Sequence, residues 1–503
     1  MPSATTRRPW RTSVLDSLRR WGPAAGIVVA LTALVLRFVA TGPLWLDEAL
    51  SVNIAQLPYG DITDALRHDG SPPLYYLLLH EWVGAFGDSP WAARALSGVF
   101  AVATVPVVGL FAREVSESER AGLVAALLAA TSPFAMRYGS EARMYALVQL
   151  LVALGGWALV RYLRRPTRLS GVAVAVCTGL LMLTHYWSFY LLGAVGIGLV
   201  WRRRWRAVGA VAAGGLLFLP WLPSFLYQLA NTGTPWAARP ALAAVVDAMI
   251  EWSGSGPVGR FNFLLLLGLA VLGLFGAGID GRRVEVDLRG RPLGRRLAAV
   301  TFGTLALGVL AGMLLKSGYA ARYSAVALVP FLVLAALGTA SLLDDRVRTG
   351  VIGLVAVLGV VVGAPMVVKP RTQAGLVAEA LTEGYQGNDV VVYCPDQLGP
   401  AVSRLLPKLT DQLAYPVGEF TGLVDWVDYA ERNEAADPAA FVDAVLRDHP
   451  DGSVWLVVAG GYRTFEDDCE EVAERLRAAR TEHPVVRSRG KYGERSALVR
   501  FAP

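Results

Sequence analysis

LWLDEALSV, Leu44 to Val52, is the stretch on which the reading of this chain turns. Its acidic pair, Asp47-Glu48, follows directly on the first long apolar run, Ala24 to Ala40, with Gly42, Pro43 and Trp45 in between. Trp is enriched where a membrane helix meets water, and Gly-Pro ends such a helix. The two carboxylates are therefore expected just outside the hydrocarbon. Two explanations are open from position alone. Either solvated charges stop the helix, or the pair does chemistry at the membrane surface. The remainder of the chain favours the second.

Of the 503 residues 54% are hydrophobic, which is too apolar for a soluble enzyme and suits a polytopic membrane protein with one modest polar domain. The net charge of +6 comes from Arg clustered in short loops, a pattern of membrane topology rather than of nucleic-acid binding. Three cysteines, Cys177, Cys394 and Cys469, exclude a disulfide framework and a cysteine-rich zinc site. The Ala, Arg, Gly and Val bias fits a GC-rich bacterial genome. Arg7, Arg8, Arg11, Arg19 and Arg20 precede the first apolar run with no A-x-A cleavage site after it, which predicts an uncleaved anchor.

Apolar stretches near membrane-spanning length occur at roughly 24–41, 93–112, 121–137, 143–161, 170–184, 186–201, 207–228, 261–279, 297–315, 323–343 and 350–368, about 11 transmembrane helices. Arg concentrates in alternate connections, most densely in RRRWR (202–206) and RRVEVDLRGRPLGRR (282–296). The positive-inside rule then puts the N-terminus in the cytoplasm and the Asp47 loop outside, and an odd number of spans puts the C-terminus outside as well. The outer loops 42–92 and 229–260 contain amphipathic pieces, DITDALRH and AAVVDAMIEWSG, expected as helices lying in the interface.

From about Lys369 the composition changes. DVVVYC (389–394), SVWLVVAG (453–460) and SALVRFA near the end are predicted strands, the first two followed by helical segments. The fold class expected is a polytopic α-helical membrane domain over 1–368 and an extracytoplasmic α/β domain with a partly parallel sheet over 369–503. GGYRTFED lacks nucleotide-binding glycine spacing. Cys394 and Cys469 lie where a disulfide could persist, but free buried thiols are the expectation favoured here.

Five features converge on the outer face. Asp47-Glu48 opens the first loop; RHDGSPPLYYLLLHEW (67–82) supplies His68 and Asp69 before a Pro-Pro turn; RYGSEARMYAL (137–147) supplies Tyr138, Glu141, Arg143 and Tyr145 where one span meets the next. THYWSFYLL (184–192) supplies His185 and Tyr186, and KSGYAARYSAVALVP (316–330) supplies Lys316, Arg322 and Tyr323. Taken singly, cations at helix ends snorkel, Pro-Pro starts a helix, and a His at a span end is a satisfied interfacial residue. Their recurrence on one face suits transfer from an anionic lipid carrier. A carboxylate can take the proton of an acceptor hydroxyl, while cations stabilise charge on a departing phosphate.

The order LDE, PPLYYLLL, SEARMYAL and a late ARYSAVALVP resembles the GT-C superfamily of membrane glycosyltransferases, nearest the branch of protein O-mannosyltransferases and the lipid A aminoarabinose transferase. The resemblance covers the first 200 residues and the ARY segment, and hardly touches the C-terminal domain. It implies a polyprenyl-phosphate-linked sugar as donor, attacked with inversion on the extracytoplasmic face. It also implies a glycan, glycolipid or protein acceptor in the cell envelope, with mannose or arabinofuranose as the sugar. By position, Asp47 corresponds to the base, Glu48 to its neighbour in the acidic pair, and Asp69 to the acidic residue before the PP turn. Gly70-Ser71 stands where relatives often carry Lys or His, so the donor phosphate falls to Arg143, Lys316 and Arg322. His68, Tyr138, Glu141, Tyr145, His185, Tyr186 and Tyr323 are the expected pocket. A divalent metal occurs in some GT-C enzymes, but no ligand spacing here demands one. Two other readings compete: a transporter or flippase of lipid-linked sugars, which would carry broken helices or ionisable groups at mid-bilayer, and a glycan-binding tail on a structural anchor, which leaves LDE and SEARMY unexplained.

Overall fold

The structure is a computed structural model and describes residues 24–234, 237–281, 283–315, 317–406 and 411–503. The arginines before Ala24 and the phosphate candidate Lys316 lie outside the described residues.

Every predicted apolar stretch carries a helix. Helix α1 is Ala24–Leu36, and three loop helices follow: α2 (Leu46–Ala55), α3 (Tyr59–Asp69) and α4 (Leu74–Phe86). The chain continues through α5 (Pro90–Ser116), α6 (Glu119–Thr131), α7 (Pro133–Gly139), α8 (Tyr145–Arg164), α9 (Arg168–Met182) and α10 (Ser188–Trp201). Next come α11 (Trp205–Gly215), α12 (Leu222–Asn231), α13 (Ala244–Ser253), α14 (Gly256–Phe275), α15 (Pro292–Leu314), α16 (Ala325–Gly338) and α17 (Asp345–Val368). Among the described residues seven helical segments are long and apolar enough to cross a membrane, with α11 and α12 together (Trp205–Asn231) and α16 with its flanking turns (Ala321–Ser341) each counting as one, and eight if α6 and α7 form one bent span; α1, α9 and α10 are shorter apolar helices. The protein is a multi-pass membrane protein. The 56° bend between α6 and α7 falls at Ser132-Pro133, where proline has no N–H to continue the ladder and Ser132 caps the new helix through Ala135 N (3.3 Å).

Helix α16 is apolar all round and every one of its residues is buried, as expected of a helix at the centre of a bundle. It meets α14 closely because Gly273 and Gly338 carry no side chain; a Cβ on Gly338 would stand 1.8 Å from Leu269 O. The predicted span at 261–279 lies nearer the N-terminus than expected, at Gly256–Phe275. Helix α14 stops at Phe275, and Gly276–Asp280 (β1) pairs with Arg283–Val286 (β2) as an antiparallel hairpin.

The C-terminal part is a six-stranded mixed sheet in the order β5-β4-β3-β6-β8-β7. The strands are β3 (Val390–Cys394), β4 (Asp411–Ala414), β5 (Gly418–Glu419), β6 (Val454–Val458), β7 (Thr481–Val486) and β8 (Ala497–Ala502). Strand β3 runs parallel to β4 and β6; β8 runs antiparallel to β6 and β7. The helices are α18 (Ala374–Gly384), α19 (Gly399–Ser403), α20 (Tyr429–Glu434), α21 (Pro438–Asp448) and α22 (Asp468–Ala479). The favoured expectation of free thiols is corrected here: Cys394 and Cys469 are joined as a disulfide across 75 residues of sequence. The end of β3 and the first turn of α22 share one core, which brings the Cα atoms to 5.4 Å, inside the reach of a disulfide.

Helix α2 belongs to both halves. Leu46 and Leu50, four apart and so on one face, complete the core of the C-terminal sheet, whereas Ala49, Val52 and Ile54 belong to the core of the membrane bundle. The acidic pair is therefore carried on a helix clamped from two sides.

Candidate active site

The two carboxylates of α2 point to different places. Asp47 and Glu48 both lie in the first turn, where the positive end of the helix dipole favours negative charge. Glu48 turns inward and is wholly buried. It receives Arg94 Nε (2.8 Å) and Nη2 (2.6 Å), Arg371 Nη1 (2.9 Å) and Ala142 N (3.0 Å). Burial alone would raise its pKa; the guanidiniums of Arg371 and Arg94 outweigh that and hold it at about 2. Glu141 lies wholly buried beside this cluster, 2.7 Å from Arg137 and 3.4 Å from Arg371. Glu48 thus locks α2 to α5, to the turn before α8 and to the start of the C-terminal domain. Its side chain has no exposed surface and does not line the cavity that Asp47 faces. The reason is rotational: adjacent residues on a helix stand about 100° apart.

Asp47 faces a cavity of about 780 Å³ lined by both halves of the protein. Arg322 Nη2 stands 3.2 Å from its carboxylate. Arg143 also lines the cavity, donating to Ser51 Oγ (2.9 Å), Tyr76 Oη (3.2 Å) and the Asp47 carbonyl (3.2 Å). Its guanidinium is buried, and the acidic and phenolic groups around it hold its pKa well above the usual value. Asp69, the last residue of α3, also lines the cavity and accepts from Tyr76 Oη (3.0 Å). Burial raises its pKa against the pull of Arg143. Gly70 follows in the left-handed region (φ 83°), where glycine is the natural residue, so α3 ends there and the chain turns into the Pro-Pro start of α4.

Of the residues predicted from sequence, Asp47, Asp69, Arg143, Arg322 and Tyr323 line the cavity. Six expected pocket residues do not. Tyr138, Tyr145 and His185 form a buried aromatic chain reaching Tyr323, with ring centroids 5.0, 5.7 and 5.3 Å apart in turn. His185 Nδ1 accepts from Trp187 N (3.1 Å), the satisfied interfacial role. Tyr186 bonds Gln228 and Trp221, which tie α12 to the α9–α10 turn. His68 pairs with Asp425 (3.0 Å) and its carbonyl accepts Trp426 N (3.1 Å), joining α3 to the C-terminal domain. Glu141 is the sixth. Position at the end of a span gives depth in the membrane, not rotation about the helix axis.

Other cavity residues were not expected. Lys369 and Arg371 follow α17; Gly460, Gly461, Tyr462 and Arg463 come from the loop after β6; Glu494 and Arg495 come from the segment before β8. Glu494 Oε1 accepts the Leu46 N–H (3.0 Å), satisfying the first donor of α2 from the far end of the chain. Burial, with the nearby charges of Asp47 and Glu48 adding to it, raises its pKa to about 7. One signal of the buried cluster was legible: Arg94 is a lone charge in an apolar run, and such residues mark buried partners.

Seven basic side chains line the cavity against three acidic ones, so it attracts an anion while keeping one accessible carboxylate. Among the described residues no group of three or more His, Cys, Asp or Glu is placed to hold a metal ion. The acidic residues of the cavity are matched to arginine, tyrosine and a backbone N–H.

Residues 70–227 match the family described as dolichyl-phosphate-mannose-protein mannosyltransferase. ArnT from Cupriavidus metallidurans, solved bound to undecaprenyl phosphate, superposes with a TM-score of 0.62 at 12% identity over 94% of this chain and 97% of that one. The arabinofuranosyltransferase AftD from Mycobacteria gives 0.52 at 15% identity over 96% of this chain and 40% of AftD. The Archaeoglobus fulgidus oligosaccharyltransferase in the apo form gives 0.51 at 12% over 87% and 69%. No curated protein matches the chain by sequence. The fold is that of the GT-C membrane glycosyltransferases. Over residues 70–227 the chain is similar to the protein mannosyltransferase family, and over nearly its whole length its fold is similar to that of ArnT.

Proposed function

We propose that the protein transfers a sugar from a polyprenyl-phosphate carrier to a glycan, glycolipid or protein of the bacterial cell envelope, with Asp47 as the base. The observation that carries this reading is the cavity in which Asp47 is paired with Arg322 and its backbone carbonyl accepts from Arg143. The acceptor hydroxyl attacks the anomeric carbon from the face opposite the phosphate. Its proton passes to the Asp47 carboxylate as the new C–O bond forms. The anomeric C–O bond to phosphate breaks, and its electron pair leaves with the phosphate. Displacement on one face inverts the configuration. Arg143 and Arg322 balance the growing charge on the phosphate, the kind of preset electrostatic stabilisation on which such transfers depend. Arg322 has a second task, neutralising Asp47; an arriving phosphate competes for it and frees the carboxylate. Tyr76, which donates to Asp69, accepts from Arg143 and holds it, and Asp69 borders the sugar.

ArnT, solved with undecaprenyl phosphate, supports a lipid phosphate as carrier, and AftD, an arabinofuranosyltransferase, together with the mannosyltransferase family match supports arabinofuranose or mannose. The Arg-rich connections support an extracytoplasmic cavity in a plasma membrane, and the Cys394–Cys469 disulfide supports an oxidising compartment for the C-terminal domain. The test is purified protein incubated with radiolabelled polyprenyl-phosphate mannose, arabinofuranose, aminoarabinose and glucose. One donor should lose its label to a membrane acceptor or to water. Turnover of none, or turnover only of nucleotide sugars, overturns the proposal.

A further inference from the structure

A second cavity, of about 430 Å³, lies within the membrane bundle. Phe111, Val152, Leu159, Val174, Leu191 and Val195 give it an apolar wall drawn from α5, α8, α9 and α10. At its mouth stand Arg164, Arg202, Arg204 and Arg296. These close α8, link α10 to α11 and open α15, at the helix ends opposite those that carry Arg143 and Arg322. Arg164 is held by Glu117 (2.9 Å) and Glu114 (3.7 Å). Among the described residues no carboxylate pairs with Arg202, Arg204 or Arg296, and all three are exposed. The positive-inside pattern accounts for basic loops. It does not require basic residues from separate connections to converge on the mouth of one apolar cavity.

We propose that this cavity binds an anionic phospholipid, one acyl chain lying along the apolar wall and the headgroup phosphate held by Arg202, Arg204 and Arg296. The volume falls in the usual range for ligand pockets of about 300–1,000 Å³; it suits one acyl chain and is far too small for a whole polyprenyl tail. Long arginine stems can lie on apolar surface while their guanidiniums reach the interface, and a guanidinium fork matches a phosphate with two parallel hydrogen bonds. Cys177, the one thiol outside the disulfide, lies in the wall of the cavity and reports its occupancy.

The test uses the full chain in nanodiscs of phosphatidylglycerol or phosphatidylcholine with identical acyl chains. Native mass spectrometry from mixed discs should find one phosphatidylglycerol retained in preference. Modification of Cys177 by a lipid-soluble maleimide should be several-fold slower in phosphatidylglycerol. A basic residue near an anionic headgroup shifts binding by roughly fivefold, so the combined Arg202→Gln, Arg204→Gln and Arg296→Gln variant should lose tenfold or more of that preference while eluting as the wild type does. Equal retention of the two lipids, equal Cys177 rates, or an unchanged preference in the variant overturns the proposal. So does full displacement of phosphatidylglycerol by a polyprenyl phosphate, which would make the cavity a carrier site. The Cys177 measurement needs no variant, so a failure of the triple mutant to fold leaves the proposal open to refutation.

Discussion

Replacing Glu48 by glutamine removes the counter-charge of two buried guanidiniums. Arg94 is 4% exposed and Arg371 is 7% exposed, and Glu48 itself is fully buried. Glutamine keeps one acceptor oxygen but answers three guanidinium contacts with a neutral group, leaving Arg94 to backbone carbonyls and Arg371 to Ser140 and the longer contact with Glu141. Breaking a buried pair in this way costs about 3–5 kcal/mol. The depressed pKa gives an independent gauge: a fall from 4.5 to about 2 corresponds to stabilisation on the order of 3 kcal/mol. Because the folded value is the lower one, that stability is present above pH 4.5 and lost as pH falls toward 2. Asp47→Asn should behave in the opposite way. Its carboxylate touches Arg322 at a cavity wall, so stability changes little, but the amide accepts no proton and transfer should fall by roughly 10²–10⁴. The assay pairs thermal inactivation in detergent with turnover of the donor identified by the panel. Glu48→Gln should inactivate far below the wild-type temperature, and the fraction still folded should turn over. Asp47→Asn should hold its temperature and lose its rate. A Glu48→Gln protein as stable as wild type refutes the structural reasoning; a monodisperse Asp47→Asn protein at near wild-type rate ends the case for Asp47 as base.

Arg143→Gln and Arg322→Gln each remove a charged hydrogen-bond donor from the cavity, a loss of about 1.5–3 kcal/mol in donor binding or transfer. Near-normal kinetics in both would reject their role with the phosphate. Glu494, raised to about 7, titrates in the opposite sense to Glu48. Its folded pKa exceeds the unfolded one, so its contribution is full below about pH 4.5 and is lost as pH rises through 7, with Asp47, Glu48, Thr372 and the Leu46 N–H as the groups that face it. Thermal inactivation should therefore set in at lower temperature as pH rises from 5 to 8, and Glu494→Gln, which keeps the acceptor oxygen, should flatten that trend; a trend unchanged in the variant refutes it. Thr63→Cys and Ala440→Cys, both on exposed positions, should react with an impermeant maleimide in intact cells, and Thr349→Cys should be protected. Protection of the first two would reverse the proposed orientation.

Hydrophobic runs of membrane length allow little besides helices, since a backbone in lipid must satisfy its own hydrogen bonds. The helical stretches were accordingly legible along the chain, and so were the strands around Val392, Leu456 and Val499 from their β-branched runs. The Asp47 loop was legible from its place after the first span. Which of two neighbouring carboxylates faces the cavity was not, because that depends on the rotation of α2, and the rotation is set by Leu46 and Leu50 packing on a sheet some 340 residues later. The roles of Arg371, Glu494 and Arg463 were equally hidden. They reach the cavity through loops of the C-terminal domain, and only its docking on α2 brings them beside Asp47. The disulfide depended on the same kind of closure, since two cysteines 75 residues apart have no defined separation until β3 and α22 share a core. Local periodicity is written in neighbouring residues; the sides of a cavity are chosen by contacts between segments whose distance in sequence carries no information about their distance in space.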